Sequence, residues 1–166
     1  MVRHAHDPIA EIAELIKDIR IAMLTTVDRD GSLHGRPMAT QEATFDGELW
    51  FFTGQSTHKV EEIRARPRVS VAYASPREHL YISLSGRAEM VVDGARMREL
   101  WRPSYKLWFP QGLDDPDLAL LRVHVEQAEY WRSAGGAVVA ITGLLKGMTG
   151  HKAEKGEAGE HRYVRL

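Results

Sequence analysis

The spacing of hydrophobic residues changes near residue 20, which divides the chain into a helical start and a strand-rich remainder. Isoleucines recur at helical spacing up to Ile19, so residues 7–20 are predicted to form an amphipathic helix. Asp7 is suited to cap this helix, and Pro8 to occupy its first turn. The runs of apolar and β-branched residues that follow predict strands over residues 21–27, 33–40, 48–53, 68–75, 80–92 and 120–133.

The residues between and within these runs indicate how the strands connect. Asp30-Gly31 is a strong hairpin signal between the first two strands. Gly86, inside the fifth strand, indicates a bulge or a close backbone approach. Two further helices are predicted, over residues 58–65 and from Asp93 to about residue 101.

Strands joined mostly by hairpins predict the fold class. Because strand–helix–strand alternation is sparse, the pattern favours a mainly β chain with helices (β or α+β) that forms an antiparallel barrel, rather than a doubly wound sheet. We assign residues 1–150 to this domain, and residues 151–166 to a polar tail with room for a short strand.

Composition narrows the classes of function. The 166 residues carry a net charge of −1, so no basic field indicates a nucleic-acid partner. Cysteine is absent from the sequence, which excludes disulfides, thiolate metal sites and a cysteine nucleophile. The sequence has neither a signal-peptide pattern nor an apolar run long enough to span a membrane, so we expect a cytoplasmic protein without a membrane partner.

Residues 53–59, Thr-Gly-Gln-Ser-Thr-His-Lys, lie between a strand and a short helix and form the most informative segment. Ser56 and Thr57 can cap the helix, whose first N–H groups and dipole would then favour an anion. Lys59 adds a full charge, and His58 adds a further donor. Such a donor set matches a terminal phosphate. Ordinary helix capping explains the segment equally well.

A second basic residue, Arg36, lies on the strand over residues 33–40. We predict that this strand pairs with residues 49–53, which would bring the guanidinium near the same anion site. Pro37 indicates an edge strand or a bulge, because proline cannot donate a hydrogen bond to a neighbour. The unpaired N–H and C=O groups of an edge can bind the polar rim of a planar ring. The alternative interpretation is an exposed strand arginine.

Signals for catalysis or for a metal are weak. The sequence has no nucleophile elbow and no P-loop, so no catalytic residue is assigned. Its 8 histidines show no i, i+4 pairing around a carboxylate, so no metal site is predicted.

Much of the chain resembles the pyridoxamine 5′-phosphate oxidase-like FMN-binding split barrels, and most of all their general stress protein branch. The resemblance includes residues 23–38 (MLTTVDRDGSLHGRPM), 49–63 (LWFFTGQSTHKVEEI) and 100–123 (LWRPSYKLWFPQGLDDPDLALLRV). It implies a six-stranded antiparallel split β-barrel that binds FMN, with FAD as the alternative. The cofactor-binding residues that it implies are Arg36, Pro37, Met38, Ala39, Thr40, Phe52, Thr53, Thr57, His58, Lys59, Tyr81 and Trp131.

The resemblance gives these positions different roles. Residues 36–40 of the second strand would line the flavin ring, and residues 57–59 would grip the phosphate. His58 replaces an arginine of the oxidases, which weakens the grip because imidazole offers fewer donors. Tyr81 would reach the flavin from a partner chain and Trp131 would close the site, so the resemblance implies a homodimer with cofactor sites at its interface.

The resemblance implies a flavin-dependent oxidoreductase that acts on an unknown small molecule, and its general stress protein branch implies a role in stress. After Trp131 the chain reads Arg-Ser-Ala-Gly-Gly, where the oxidases carry the Arg-x-His-Asp-Arg pattern that binds pyridoxal phosphate. We therefore do not expect a true pyridoxamine phosphate oxidase. Two alternatives stay open: a flavin-binding or flavin-sensing protein without turnover, and a related barrel that uses FAD, a deazaflavin or heme.

Overall fold

A computed structural model describes residues 7–41, 43–133 and 160–166. The helices are α1 (Pro8–Ile16), α2 (His58–Ala65) and α3 (Gly94–Leu100). The strands are β1 (Ile21–Val27), β2 (Leu33–Ala39), β3 (Glu48–Gly54), β4 (Arg68–Ser75), β5 (Leu80–Val91), β6 (Leu118–Arg132) and β7 (Glu160–Arg165). Within the described residues, no helix is long and apolar enough to cross a membrane.

The strands form one antiparallel sheet in the order β2-β1-β4-β5-β6-β3, with β7 added to β6. The length of β6 makes this possible, since its residues 118–124 pair with β3 and its residues 127–132 pair with β7. The predicted mainly β, antiparallel fold is confirmed. All six predicted strands are present, and β7 is the short strand of the tail. The domain boundary predicted at residue 150 lies outside the described residues.

The predicted pairing of β2 with β3 is wrong. β2 pairs with β1, because the turn at Asp30-Gly31 closes a tight local hairpin in which the Asp28 N–H bonds to the Ser32 carbonyl oxygen at 2.9 Å. Gly31 has a φ of 92°, which glycine adopts without strain. β3 pairs with β6 instead. β2 therefore lies at one end of the strand order, and the edge predicted from Pro37 is confirmed.

The first helix is shorter than predicted. Asp7 caps it as expected, accepting hydrogen bonds from the N–H groups of Ile9 and Ala10. The helix ends at Ile16 because the Ile19 N–H then bonds to the Ile16 carbonyl oxygen at 3.0 Å and turns the chain into β1.

Alternation along the strands separates a core side of the sheet from a solvent side. On β1, Ala22 and Leu24 are fully buried while Ile21 and Met23 are about half exposed. The buried side packs against α1 and α2 and forms the main core. A second, smaller cluster lies beside α3 and comprises Phe52, Met97, Leu100, Tyr105, Leu118 and Leu120.

Candidate anion-binding and ring-binding site

The loop from β3 into α2 is organised by Asp117. Its carboxylate accepts hydrogen bonds from the N–H and the hydroxyl of Ser56, both at 2.9 Å. Thr57 occupies the N-cap position of α2, but its hydroxyl donates to the Gly54 carbonyl oxygen at 2.8 Å and caps no N–H within the described residues. The predicted side-chain capping by Ser56 and Thr57 is therefore wrong, because Asp117 and Gly54 engage both hydroxyls.

Lys59, in the first turn of α2, points back towards this loop. Its Nζ donates to Thr53 Oγ1 at 3.0 Å and to Thr57 Oγ1 at 3.1 Å. Partial burial lowers the pKa of Lys59, and the positive charge of Arg36 lowers it further. Two cations therefore share one corner of the molecule, where an anion would relieve their repulsion.

Arg36 is fixed by a carboxylate that the sequence did not single out. Its Nη2 donates to Glu62 Oε2 at 2.9 Å, and its Nη1 donates to Thr26 Oγ1 at 2.5 Å. The Glu62 side chain is completely buried. Burial raises the pKa of Glu62, but the hydrogen bonds from Thr26 and His34 and the charge of Arg36 outweigh it, so the net pKa lies below the ordinary value. Glu62 is thus a buried, ionised anchor for the guanidinium.

His58 faces the same carboxylate. Its Nε2 lies 3.4 Å from Glu62 Oε1 and 3.4 Å from Asp28 Oδ2. His34 Nδ1 also contacts Glu62 Oε1. The imidazole of His58 therefore takes part in a cluster of histidines and carboxylates next to the Lys59 corner.

The members of this cluster differ in how far the sequence could have revealed them. The hairpin at Asp30-Gly31 fixes a register in which Thr26 lies opposite His34. The contact between these two residues could therefore have been predicted from the turn. Glu62 was not, because it is one of two adjacent glutamates on a charged helix. Its neighbour Glu61 is 64% exposed, and no pattern tells the two apart.

The solvent side of the sheet carries a second group of predicted residues. We call it the outer face, and it includes Ile21, Met23, Pro37, Ala39, Ala72, Ala74, Tyr81, Ser83 and Trp131. Ile21, Met23, Tyr81 and Trp131 border a groove of about 320 Å³ on this face. Trp131 stacks on His161 of β7, with ring centroids 5.2 Å apart and an interplanar angle of 8°.

The remaining predicted residues lie in the core or near it. Met38 and Phe52 are each 7% exposed and pack with core side chains. Thr40 donates a hydrogen bond to the Tyr73 hydroxyl at 3.5 Å, and burial raises the pKa of Tyr73 to about 12. The structure thus gathers Arg36, Thr53, Thr57, His58 and Lys59 at one corner and places Pro37, Ala39, Tyr81 and Trp131 on the outer face.

Comparison with known proteins places this chain in a family. Residues 7–154 match the family described as pyridoxamine 5′-phosphate oxidase like. The chain belongs to this family. A crystal structure confirms the split-barrel fold that we expected of a pyridoxamine 5′-phosphate oxidase-like protein. It is the structure of a protein from Clostridium acetobutylicum that is related to general stress protein 26 of B. subtilis. That structure superposes with a TM-score of 0.70 at 20% identity, over 95% of this chain and 94% of the other.

Two other proteins are similar to this pyridoxamine 5′-phosphate oxidase-like chain. The general stress FMN/FAD binding protein of Xanthomonas citri is 31% identical, with a TM-score of 0.66 over 77% of this chain and 90% of that one. Protein bli-3 of Neurospora crassa is 25% identical over 150 residues, which cover 84% of this chain and 72% of bli-3.

Proposed function

We propose that this protein binds FMN and acts as a flavin-dependent oxidoreductase. The observation that carries the proposal is the convergence of Lys59 and Arg36 on the threonine-lined corner at the start of α2. The family assignment and the name of the Xanthomonas citri relative support a flavin as the bound anion. FAD is the alternative, since it carries phosphates too.

The residues at the corner fit a phosphate. Lys59 supplies a full charge, and the hydroxyls of Thr53 and Thr57 lie around its ammonium. Arg36 donates one hydrogen bond to Glu62 and one to Thr26. Because a guanidinium has five N–H donors, others remain for a ligand. The start of α2 adds the positive end of its dipole. His58 faces Asp28 and Glu62, so the grip depends chiefly on Lys59 and Arg36.

The ring of the flavin fits the outer face next to the edge strand. Arg36 and Pro37 are consecutive on β2 and point to opposite sides of the sheet, so a ligand that touches both must pass around this edge. Ala39, on the edge strand itself, is a small side chain that leaves room for a flat ring.

A homodimer is part of the proposal. The outer face exposes Ile21 (51%), Met23 (44%) and Tyr81 (40%), which a second copy of the chain would cover. Tyr81 lies three strands away from β2 in the sheet order, so it would reach the flavin bound by the partner rather than the one bound by its own β2. Each of two sites would then contain residues from both chains.

Bound FMN would supply the hydride or electron transfer, while the chain binds the phosphate and orients the ring. The test is an absorption spectrum and a ligand mass from the purified protein, followed by anaerobic addition of NADH or NADPH. We expect a flavin band, the mass of FMN and bleaching of the band. A protein that neither carries nor takes up any flavin overturns the proposal, and the mass of FAD or a deazaflavin changes its cofactor.

A flavin-binding protein without turnover is the second candidate. The sequence Arg-Ser-Ala-Gly-Gly after Trp131 favours it, because this segment replaces the substrate-binding pattern of the oxidases. Binding of FMN without reduction by any donor would select this function over the first.

A further inference from the structure

Four potential metal ligands from three elements meet beside the Lys59 corner. They are Asp28, just after β1, His34 on β2, and His58 and Glu62 on α2. One ligand atom from each side chain lies within 4.8 Å of the other three. Because only His58 and Glu62 share an element, the spacing of the four residues in the sequence matches no metal-binding motif.

The separations of the ligand atoms suit a small divalent ion. For metal–ligand bonds of about 2.0–2.1 Å, tetrahedral geometry places neighbouring ligand atoms about 3.3–3.4 Å apart. His58 Nε2 lies 3.4 Å from both Asp28 Oδ2 and Glu62 Oε1. Asp28 Oδ2 lies 4.0 Å from His34 Nδ1, and His34 Nδ1 contacts Glu62 Oε1 more closely, so a metal needs only small side-chain shifts to equalise these distances.

Three of the four side chains are also oriented by contacts with residues outside the cluster. Oε2 of Glu62 accepts from Thr26 and Arg36, which leaves Oε1 to face the cluster. Oδ1 of Asp28 accepts from the Arg29 N–H at 2.6 Å, while Oδ2 faces inward. Nδ1 of His58 lies 3.5 Å from Glu61 Oε2, which turns Nε2 towards the other ligands. Hydrogen bonds and ion pairs to residues behind the ligand atoms orient metal ligands in proteins.

We propose that Asp28, His34, His58 and Glu62 bind one divalent transition-metal ion of the Zn²⁺ type. Two imidazoles and two carboxylates are ligands for such ions, and the two negative charges balance the charge of the metal. His34 and His58 are 42% and 61% exposed, so an ion can enter from the solvent side. The inference does not depend on flavin binding.

The competing explanation is a set of histidine–carboxylate ion pairs in which protons occupy the positions of the metal. The two explanations differ in one measurable respect, which is saturable binding of a divalent ion. Co²⁺ is a suitable probe next to Zn²⁺, because its visible spectrum reports tetrahedral coordination by nitrogen and oxygen.

The test uses the full chain after treatment with a chelator, without added flavin, titrated with Zn²⁺ by calorimetry and with Co²⁺ by visible absorption. His34→Gln and His58→Gln each remove one ligand. His124→Gln is the matched control, since His124 is an exposed histidine 3.9 Å from the carboxylate of Glu48. Circular dichroism checks that each variant is folded, which we expect because both cluster histidines are substantially exposed.

We expect one equivalent of tight binding in the wild type and in His124→Gln, and affinity reduced at least about 10-fold in both cluster variants. Histidines elsewhere, such as His4, His6 and His151, are kept in every variant, so the difference between variants measures the cluster alone. Absence of saturable binding overturns the proposal, and so does equal binding by the wild type and the two cluster variants.

Discussion

Arg36 on the edge strand β2 forms an ion pair at 2.9 Å with Glu62 on α2, whose side chain is completely buried. Thr26 joins the pair by donating to the same carboxylate oxygen at 2.5 Å. The contact ties an edge strand, which has no strand beyond it in the described sheet order, to the helix that packs on the core. It also sets the position of the guanidinium in the proposed phosphate corner.

Glu62→Gln should therefore destabilise the protein by about 3 kcal/mol at pH 7. The guanidinium of Arg36, whose side chain is only 21% exposed, would lose its charged partner. Since the pKa of Glu62 is lowered in the folded state, this stabilisation is present above the unfolded pKa of about 4.3 and is lost as the pH falls through the lowered value. Urea unfolding at pH 7 and at pH 3, with a chelator present, measures both effects. Glu61→Gln, an exposed neighbour, should change stability by less than about 0.5 kcal/mol. Equal losses in the two variants would contradict the assigned role.

Lys59→Ala should weaken binding of FMN by about 10- to 100-fold, because it removes a charge-assisted contact of about 1.5–3 kcal/mol. Riboflavin lacks the phosphate, so its weaker affinity should be the same in the variant and the wild type. Quenching of flavin fluorescence measures both dissociation constants. Lys106→Ala removes an exposed lysine outside the corner and is the control. An unchanged affinity for FMN would show that the phosphate binds elsewhere.

Local patterns predicted more of this molecule than long-range contacts did. Alternation of apolar residues gave all six strands of the sheet path, and Asp30-Gly31 gave the hairpin of β1 and β2. The pairing of β3 with β6 was missed, because it joins segments far apart in the sequence. The contact that replaced capping by Ser56 was missed for the same reason, since Asp117 lies 61 residues away.

The candidate site shows the same division. Lys59 and Thr57 were predicted to lie together because the turn from a strand into a helix is a local feature of the chain, and their contact at 3.1 Å confirms this proximity. Glu62 was not predicted from the sequence, because only the folded structure distinguishes it from Glu61 by burial. A buried ion pair between a strand and a helix has no periodic signature that a single sequence could reveal.

Gly86→Ala should destabilise the protein by about 3 kcal/mol or more. The register between β5 and β6 shifts at Ser85/Gly86, and a Cβ on Gly86 would lie 1.9 Å from the carbonyl oxygen of His124. This obstacle is backbone, so a rotamer change cannot relieve it, and the cost lies at or above the top of the usual range for overpacking. Thermal or urea unfolding measures the loss. Gly94→Ala meets only the flexible end of Arg98 at 3.4 Å and should change stability by at most about 1 kcal/mol. Equal stability of the two variants would contradict the close approach.

Met23→Glu should convert the proposed dimer to a monomer. Met23 is 44% exposed on the outer face, next to the groove that Tyr81 and Trp131 line, and a glutamate there would be buried without a partner on dimerisation. A penalty of about 3 kcal/mol corresponds to a dimer weakened roughly 100-fold. Sedimentation velocity over a range of concentrations gives the oligomeric state. Leu107→Glu is the matched control, because Leu107 is 79% exposed and does not border this groove.

If the outer face also completes the flavin site, Met23→Glu should lose FMN in parallel with the dimer, while Leu107→Glu should keep both. A monomeric wild type, or a Met23→Glu variant that stays dimeric, would separate flavin binding from dimerisation through this face.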